Sequence, residues 1–435
     1  MSNMFSESQL RIIAIIPMVT AWLSIAGSVT IIFMLLRSEK KLSTSYRRII
    51  FGMSCMDIIY SLALSMTSLA SPEGTEGKWN PVGNTVTCTL QGLALFIGVT
   101  GTTTYNCMLS IFYTLTIANG VSKATMSKRV EPFFHAIPFL YATSASIFLL
   151  NKKSFNSNGS ICMISSYPQN CHEDASLDCS RGENADEHYR YFVGYPIVLM
   201  FFIIVSSMIY LYSAVVVQER RMSQYRMSQS TLPEGILRMR RNSEANNLSS
   251  SSTTPIRQRT TPEGRNRRAA MIQCLCYVTA YLISWTPVTL YLAVDDESEY
   301  LIVIGIINVL LTPLQGFSNF LVFIRPQVKS VMDINRDASL WQAFKITITS
   351  KDLDISSMRR RQSLMNRQAN GGRRFTAREW HLQQAAEQVS QDPELCESDN
   401  ENDTSSRQKA VTSLTTPIDY GIIHAVQMPG ANVTE

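Results

Sequence analysis

The sequence predicts an all-α membrane protein, a bundle of seven transmembrane helices with the N-terminus outside and the C-terminus in the cytosol. Three observations predict it. First, charge is segregated: residues 218–268 hold 11 Arg and 4 Glu, residues 326–435 hold 13 basic and 14 acidic residues, and the 31 charges of the other 274 residues sit mostly in short clusters between long apolar runs. Second, seven apolar stretches reach the roughly 17–25 residues that a spanning helix needs. Third, loops after helices 1, 3 and 5 carry 19 Lys and Arg, and loops after helices 2, 4 and 6 carry 5; basic loops stay on the cytoplasmic side. The averages of 45% hydrophobic and 17% charged residues would suit a soluble protein, but they blend two unlike parts. A soluble multidomain enzyme is excluded as the leading reading. So is a DNA-binding basic protein, because the net charge of +5 belongs mostly to one loop; no nucleic-acid partner is expected.

Residues 1–11 form a short extracellular N-terminus ahead of a membrane domain spanning 12–325. The helices are expected at about 12–36, 49–69, 88–118, 132–150, 191–217, 269–294 and 300–324. The first is too long for a signal-peptide core, and basic residues follow it rather than precede it, so it reads as a retained helix. The third is longer than a bilayer requires and should tilt or project. The fourth is short and carries Pro132, His135 and Pro138. Residues 218–268 read as a disordered third cytoplasmic loop and 326–435 as a mostly disordered cytoplasmic tail, polar and low in aromatics. Within that tail, residues 327–332 could begin a short amphipathic helix along the membrane.

Across the seven segments stands one carboxylate, Asp57, and no Lys or Arg. A lone acid at that depth is costly, so it should face the bundle interior among polar partners, either as a structural knot or as a switch or ion site. The last helix has no Lys for a retinal Schiff base, which argues against an opsin or light-driven pump. No acid series, filter or inverted repeat supports a transporter or channel. There is no nucleophile–base pair, metal cluster or phosphate loop, so neither enzymatic activity nor a cofactor is expected.

The apolar segments carry a set of motifs: Gly27-Ser28 in helix 1, Asp57 in helix 2, Trp79 ahead of Cys88 at the start of helix 3, Ser284-Trp285-Thr286-Pro287 in helix 6, and Pro313–Phe317 with Asn319 in helix 7. Together they resemble those of the seven-helix G-protein-coupled receptors, rhodopsin-like, with features of the cyclic-AMP-receptor-like group. Gly27-Ser28 stands where the family has Gly-Asn, and Asp57 takes the place of the helix-2 acid. Trp79 and Cys88 resemble the first outer loop's Trp and the disulfide Cys that opens helix 3. Ser284-Trp285-Thr286-Pro287 is similar to the Cys-Trp-x-Pro hinge. Asn319 begins the string that replaces Asn-Pro-x-x-Tyr, and Pro313–Phe317 resembles the cyclic-AMP-receptor-like group. Two features depart from the pattern: Phe112-Tyr113-Thr114 occupies the acid-Arg-aromatic triplet, and helix 4 lacks the usual Trp.

The resemblance implies a switch network. Pro287 should kink helix 6 beneath Trp285 and give two packings that a ligand can bias; a plainer reading is a bend beside a core Trp. Asp57, Thr102, Gln315 and Asn319 are implied to converge at mid-bundle, holding either water or a weakly bound monovalent cation. Four cysteines, Cys88, Cys162, Cys171 and Cys179, fall on the oxidising outside and allow three pairings that spacing does not decide. Cys88–Cys162 with Cys171–Cys179 is favoured, and a zinc site is the runner-up. Asn158-Gly159-Ser160 is a glycosylation acceptor on the same side. Ser243, Ser363 and Thr376 follow Arg pairs as basophilic kinase sites, and phosphate there would suit an arrestin-like adaptor. The Arg cluster of the third loop could also touch anionic membrane lipid.

Taken together, the expected function is a plasma-membrane receptor. It would pass an unknown extracellular ligand signal to a heterotrimeric G protein by repacking helices 6 and 7. A seven-helix transporter or channel, or a G-protein-independent signalling scaffold, are the alternatives.

Overall fold

The computed structural model describes residues 7–169, 171, 178–230, 262–291, 300–335 and 337–350. The chain divides into two units, Met1–Arg360 and Arg361–Glu435. The second lies outside the described residues, as do most of the third inner loop and the kinase-site residues Ser243, Ser363 and Thr376.

Seven helices are long and apolar enough to cross a membrane: α1 (Glu7–Arg37), α2 (Ser45–Ser65), α3 (Thr85–Ala118), α4 (Lys123–Asn151), α5 (Ala185–Gln224), α6 (Arg268–Leu290) and α7 (Val303–Ile334). An eighth, α8 (Leu340–Thr349), follows α7 and is too short to span. The chain is therefore a multi-pass membrane protein, with its polar side chains turned inward. Apolar side chains such as Val19, Trp22, Phe139 and Phe202 are exposed on the outer faces, as expected where lipid is the solvent. Buried serines, threonines and one Asp line the interior.

Local chemistry sets the ends. Thr44 caps α2 by accepting from the Arg47 amide, and Asn84 closes a capping box on α3 with Thr87. Helices α3, α4 and α5 each contain a π-helical turn, at Thr114–Ala118, Met126–Val130 and Arg190–Gly194. Pro17, Pro138, Pro287 and Pro326 lie inside helices. A Cβ on Gly98 would lie 2.6 Å from the Tyr60 Cα, so only Gly allows α3 this close to α2.

Three expectations need correction. The helix through α5 continues to Ser230 and the helix through α6 begins at Pro262, so residues 218–230 and 262–268 are helical rather than loop. Their Gln, Glu, Arg and Met residues are good helix formers. Helix α4 begins at Lys123, well before Pro132, and Pro132 stands where its π-helical turn, Met126–Val130, passes into the regular α-helix Glu131–Asn151. This brings Glu131 inside the helix, 5% exposed, so Asp57 is not alone as a buried carboxylate. Finally, residues 327–332 continue α7, and the amphipathic helix comes later, as α8.

Outside the helices, β1 (Phe155–Asn158) and β2 (Ile161–Ile164) form an antiparallel hairpin. Its turn carries Gly159 at φ +52°, a conformation glycine adopts freely, and Asn158 is exposed beside it.

Candidate functional site

The polar interior is built in three layers. In the middle layer, Asp57 of α2 is 1% exposed. Its Oδ1 accepts from Thr102 Oγ1 of α3 at 3.0 Å and its Oδ2 from Asn319 Nδ2 of α7 at 2.8 Å. Gln315 Nε2, one helical turn before Asn319, donates to Asn319 Oδ1 at 3.1 Å. The four residues that the resemblance grouped are thus in one hydrogen-bonded chain. Ser24 ties α1 to the same region: its hydroxyl accepts from Ser61 Oγ and from the Gly316 amide, both at 3.0 Å. Gln315 Oε1, Ser28 Oγ and Ser54 Oγ are buried without a hydrogen-bond partner among the described residues. A carboxylate oxygen has two lone-pair directions. The open capacity on Asp57 and Gln315 Oε1 is therefore what a water or a monovalent cation would meet.

Trp285 joins this layer through stacking. Its indole lies between Tyr60, at 5.9 Å and 27°, and Tyr281, at 5.9 Å and 25°. Tyr60 is three residues after Asp57, so both lie on one face of α2. Two residues beyond the indole, Pro287 cannot donate to the Ile283 carbonyl. Thr312 of α7 donates to the neighbouring Ser284 carbonyl at 3.1 Å and fastens α7 to α6 beside that gap.

The inner layer was not visible from sequence. Where a charged triplet would sit on α3, Tyr113 packs 6.0 Å from the Tyr46 ring. The Tyr46 hydroxyl lies 3.4 Å from that of Tyr277 on α6 and accepts from Gln273 Nε2 at 2.9 Å. The inner ends of α2, α3 and α6 are thus closed by neutral aromatic hydroxyls. Beside them is an ion pair between α2 and α4. Arg48 bonds Glu131 through Nε, and again from Nη2 to Oε2 at 2.6 Å. Glu131 Oε2 also accepts from Ser45 Oγ at 2.7 Å. Bidentate pairing of this kind is the strong form of the contact. His135 Nε2 lies 3.6 Å from Glu131, and its Nδ1 is 3.0 Å from the Tyr105 hydroxyl.

The outer layer is a cap. Cys88–Cys162 joins α3 to the hairpin, and Cys171–Cys179 closes a local loop, which removes the zinc alternative. Gln91 locks the hairpin to the bundle: its Oε1 accepts from the Cys162 amide at 2.9 Å, and its Nε2 donates to Ala63 O and Thr67 O. Phe155 packs on Gly92, where a Cβ would come within 2.9 Å of its ring. Lys78 folds beneath the hairpin, donating to Ser157 Oγ and to Ser71 Oγ at 3.1 Å. Burial pushes its ammonium down to about 8 from 10.5. Arg181 donates to Asn156 Oδ1 at 2.7 Å, so it braces the hairpin.

No family model matches this chain, and neither does any curated protein. Among solved structures, the crystal structure of squid rhodopsin is similar over 82% of this chain and 92% of that one, with a TM-score of 0.52 and 13% sequence identity. At that identity the likeness is one of fold: the chain has the rhodopsin-type seven-helix arrangement.

Proposed function

We propose that this chain is a plasma-membrane receptor of the G-protein-coupled type. It binds an extracellular ligand in the outer half of the bundle and signals to a heterotrimeric G protein in the cytosol. The observation that carries the reading is a continuous path of contacts through the interior. Trp285 stacks on Tyr60, Tyr60 shares a helix face with Asp57, and Asp57 is bonded to Asn319. A ligand that moved α6 at Pro287 would therefore disturb α2 and α7 together. The Tyr46–Tyr277–Gln273 contacts are what such a motion would open at the inner face. A fold like that of squid rhodopsin supports the same reading. The finer kinship with the cyclic-AMP-receptor-like group is proposed from Pro313–Phe317.

Around this core, Asn158 is proposed to carry glycan; its exposure at the hairpin turn supports that. Phosphorylation at Ser243, Ser363 and Thr376 by basophilic kinases, with arrestin-like recruitment, is proposed from the sequence.

The test is nucleotide exchange on a panel of G proteins, using full-length protein in lipid discs. Wild type is compared with Asp57→Asn and Trp285→Ala. Basal exchange altered by either substitution is the expected result. One observation favours a second reading, a seven-helix scaffold that signals without G proteins: Phe112-Tyr113-Thr114 offers no charge at the inner end of α3. No exchange with any G protein, and no binding of one in any ligand state, would favour the scaffold.

A further inference from the structure

Four hydroxyl residues surround the turn between α1 and α2, and they are in unlike states. Ser38 and Ser45 are buried. Thr44 is committed to capping α2. Ser43 is exposed and lies outside any helix, and its hydroxyl makes no hydrogen bond among the described residues. Its amide donates to the Lys40 carbonyl at 2.9 Å, so the exposed Lys40 and Lys41 stand beside it. Lys40-Lys41-Leu42-Ser43 offers two basic residues, one spacer and a hydroxyl, the spacing of Arg240-Arg241-Asn242-Ser243. A basophilic kinase selects its substrates by such charge patterns.

The group that a phosphate would meet here is already in place. Arg48 of α2 donates from Nη1 to the Leu42 carbonyl at 2.6 Å, and that carbonyl belongs to the peptide unit leading into Ser43. The same guanidinium reaches Glu131 Oε2 and Ser127 Oγ from Nη2, at 2.6 and 3.0 Å. It therefore joins the α1–α2 turn to α4 at two points. The Arg48 side chain is 30% exposed and that of Glu131 6%, so the arginine is the partner with room to turn. A phosphoserine carries about −1.5 to −2 charges and three acceptor oxygens. That outweighs a single carboxylate in competition for one guanidinium fork.

We propose that Ser43 is a phosphorylation site for a basophilic kinase and that Arg48 reads its phosphate, turning from Glu131 and loosening α4 from α2. The transfer breaks the bond from the γ-phosphorus of ATP to its bridging oxygen, forms the bond to Ser43 Oγ, and releases ADP and the hydroxyl proton. The inference rests on the proposed orientation, which puts this turn in the cytosol with ATP, and not on G-protein coupling.

The test uses full-length protein in maltoside micelles, carrying Ser243→Ala, Ser363→Ala and Thr376→Ala. It is treated with the catalytic subunit of cyclic-AMP-dependent protein kinase and magnesium ATP. Mass spectrometry maps the phosphate, and phosphorus NMR follows the resonance that Ser43→Ala removes. Expected is phosphate on Ser43, added roughly tenfold more slowly in Lys40→Gln with Lys41→Gln. That phosphate should titrate below the value of about 6 usual for a phosphoserine. Arg48→Met with Glu131→Leu removes one charge of each sign and keeps the net charge; there the midpoint should rise by about one pH unit. Arg48→Lys keeps the charge and loses the fork, and gives the same comparison with a smaller rise where the double variant folds poorly. Absence of phosphate from Ser43 would overturn the site, and midpoints unmoved by the Arg48 variants would overturn the reading by Arg48. A last arm labels Ser43→Cys on whole cells with a membrane-impermeant maleimide. Labelling is expected only after permeabilisation; labelling of intact cells would overturn the orientation, whatever the kinase does to purified protein.

Discussion

Asn319 donates from Nδ2 to Asp57 Oδ2 at 2.8 Å, with both side chains essentially inaccessible to solvent. A single amide thus joins α7 to the mid-membrane carboxylate of α2, which Thr102 already holds from α3. Asn319→Ala strips one oxygen of its donor, and a buried acceptor left unpaired costs about 1–3 kcal/mol. We expect a clear fall in the thermal unfolding temperature of purified protein. A variant melting with wild type would show that the bond contributes nothing.

The pair between Arg48 and Glu131 predicts an asymmetry. Arg48→Ala leaves Glu131 buried with only Ser45 and His135 beside it, a loss of about 2–3 kcal/mol after allowing for the 30% exposure of the Arg48 side chain. Replacing both at once, as Arg48→Met with Glu131→Leu, should recover much of that stability, because no charge is left unpaired. Thermal melts of the two variants side by side decide it; equal losses would mean that the pair stabilises by more than mutual compensation.

At the inner face, Tyr277→Phe removes one hydroxyl from the Tyr46–Tyr277 contact and leaves the ring in place. One hydrogen bond contributes about 1 kcal/mol, roughly a fivefold shift in an equilibrium between closed and open inner ends. Basal nucleotide exchange should rise by about that factor. Exchange that stays level while the protein folds normally would remove this cluster from the switch.

Lys78 gives a pH signature. Its ammonium is pushed down to about 8 in the fold, against 10.5 for the free group. Below 8 both folded and unfolded chains are protonated there, and the burial penalty is fully present. Between about 8 and 10.5 the unfolded chain keeps a proton that the folded protein has released, so this residue makes stability rise with pH. Lys78→Met should melt higher than wild type at neutral pH, and the gap should narrow as pH passes 8. Ser157 still donates to Ser71 at 3.1 Å, so the variant leaves neither hydroxyl stranded. A gap constant with pH would show that Lys78 titrates normally.

How much of this was legible beforehand differs by layer. The seven spans could be read because a bilayer imposes a length that an apolar run either meets or fails. Asp57 was conspicuous as a charge among apolar neighbours. Its partners were reachable only through the family pattern, since nothing in Thr102, Gln315 or Asn319 marks them as converging. Arg48 and Glu131 each lie at the border of an apolar run, and their meeting across 83 positions is set by helix packing that neither residue's neighbours in sequence disclose. A lone acid within a basic inner loop was the available signal for Glu131. Tyr46, Tyr113 and Tyr277 gave none, because aromatic residues in an apolar helix look alike whether they face lipid or one another. Gln91 was likewise hidden: its three bonds exist only once the hairpin is seated.

The spacing of the Asp57 contacts also bears on how the chain is made. Thr102 lies 45 residues beyond Asp57, and Asn319 lies 262 beyond. A ribosome that has just finished α2 has delivered an acid to the bilayer whose final partner is still to be translated. On insertion scales an acid at the centre of a lone helix costs about 2.5–3.5 kcal/mol. During most of synthesis that cost is offset only by α3, and the last spanning helix to emerge completes a site that the second one began. Any chain truncated before Asn319 keeps the defect permanently, which gives cellular quality control a local mark of an unfinished protein.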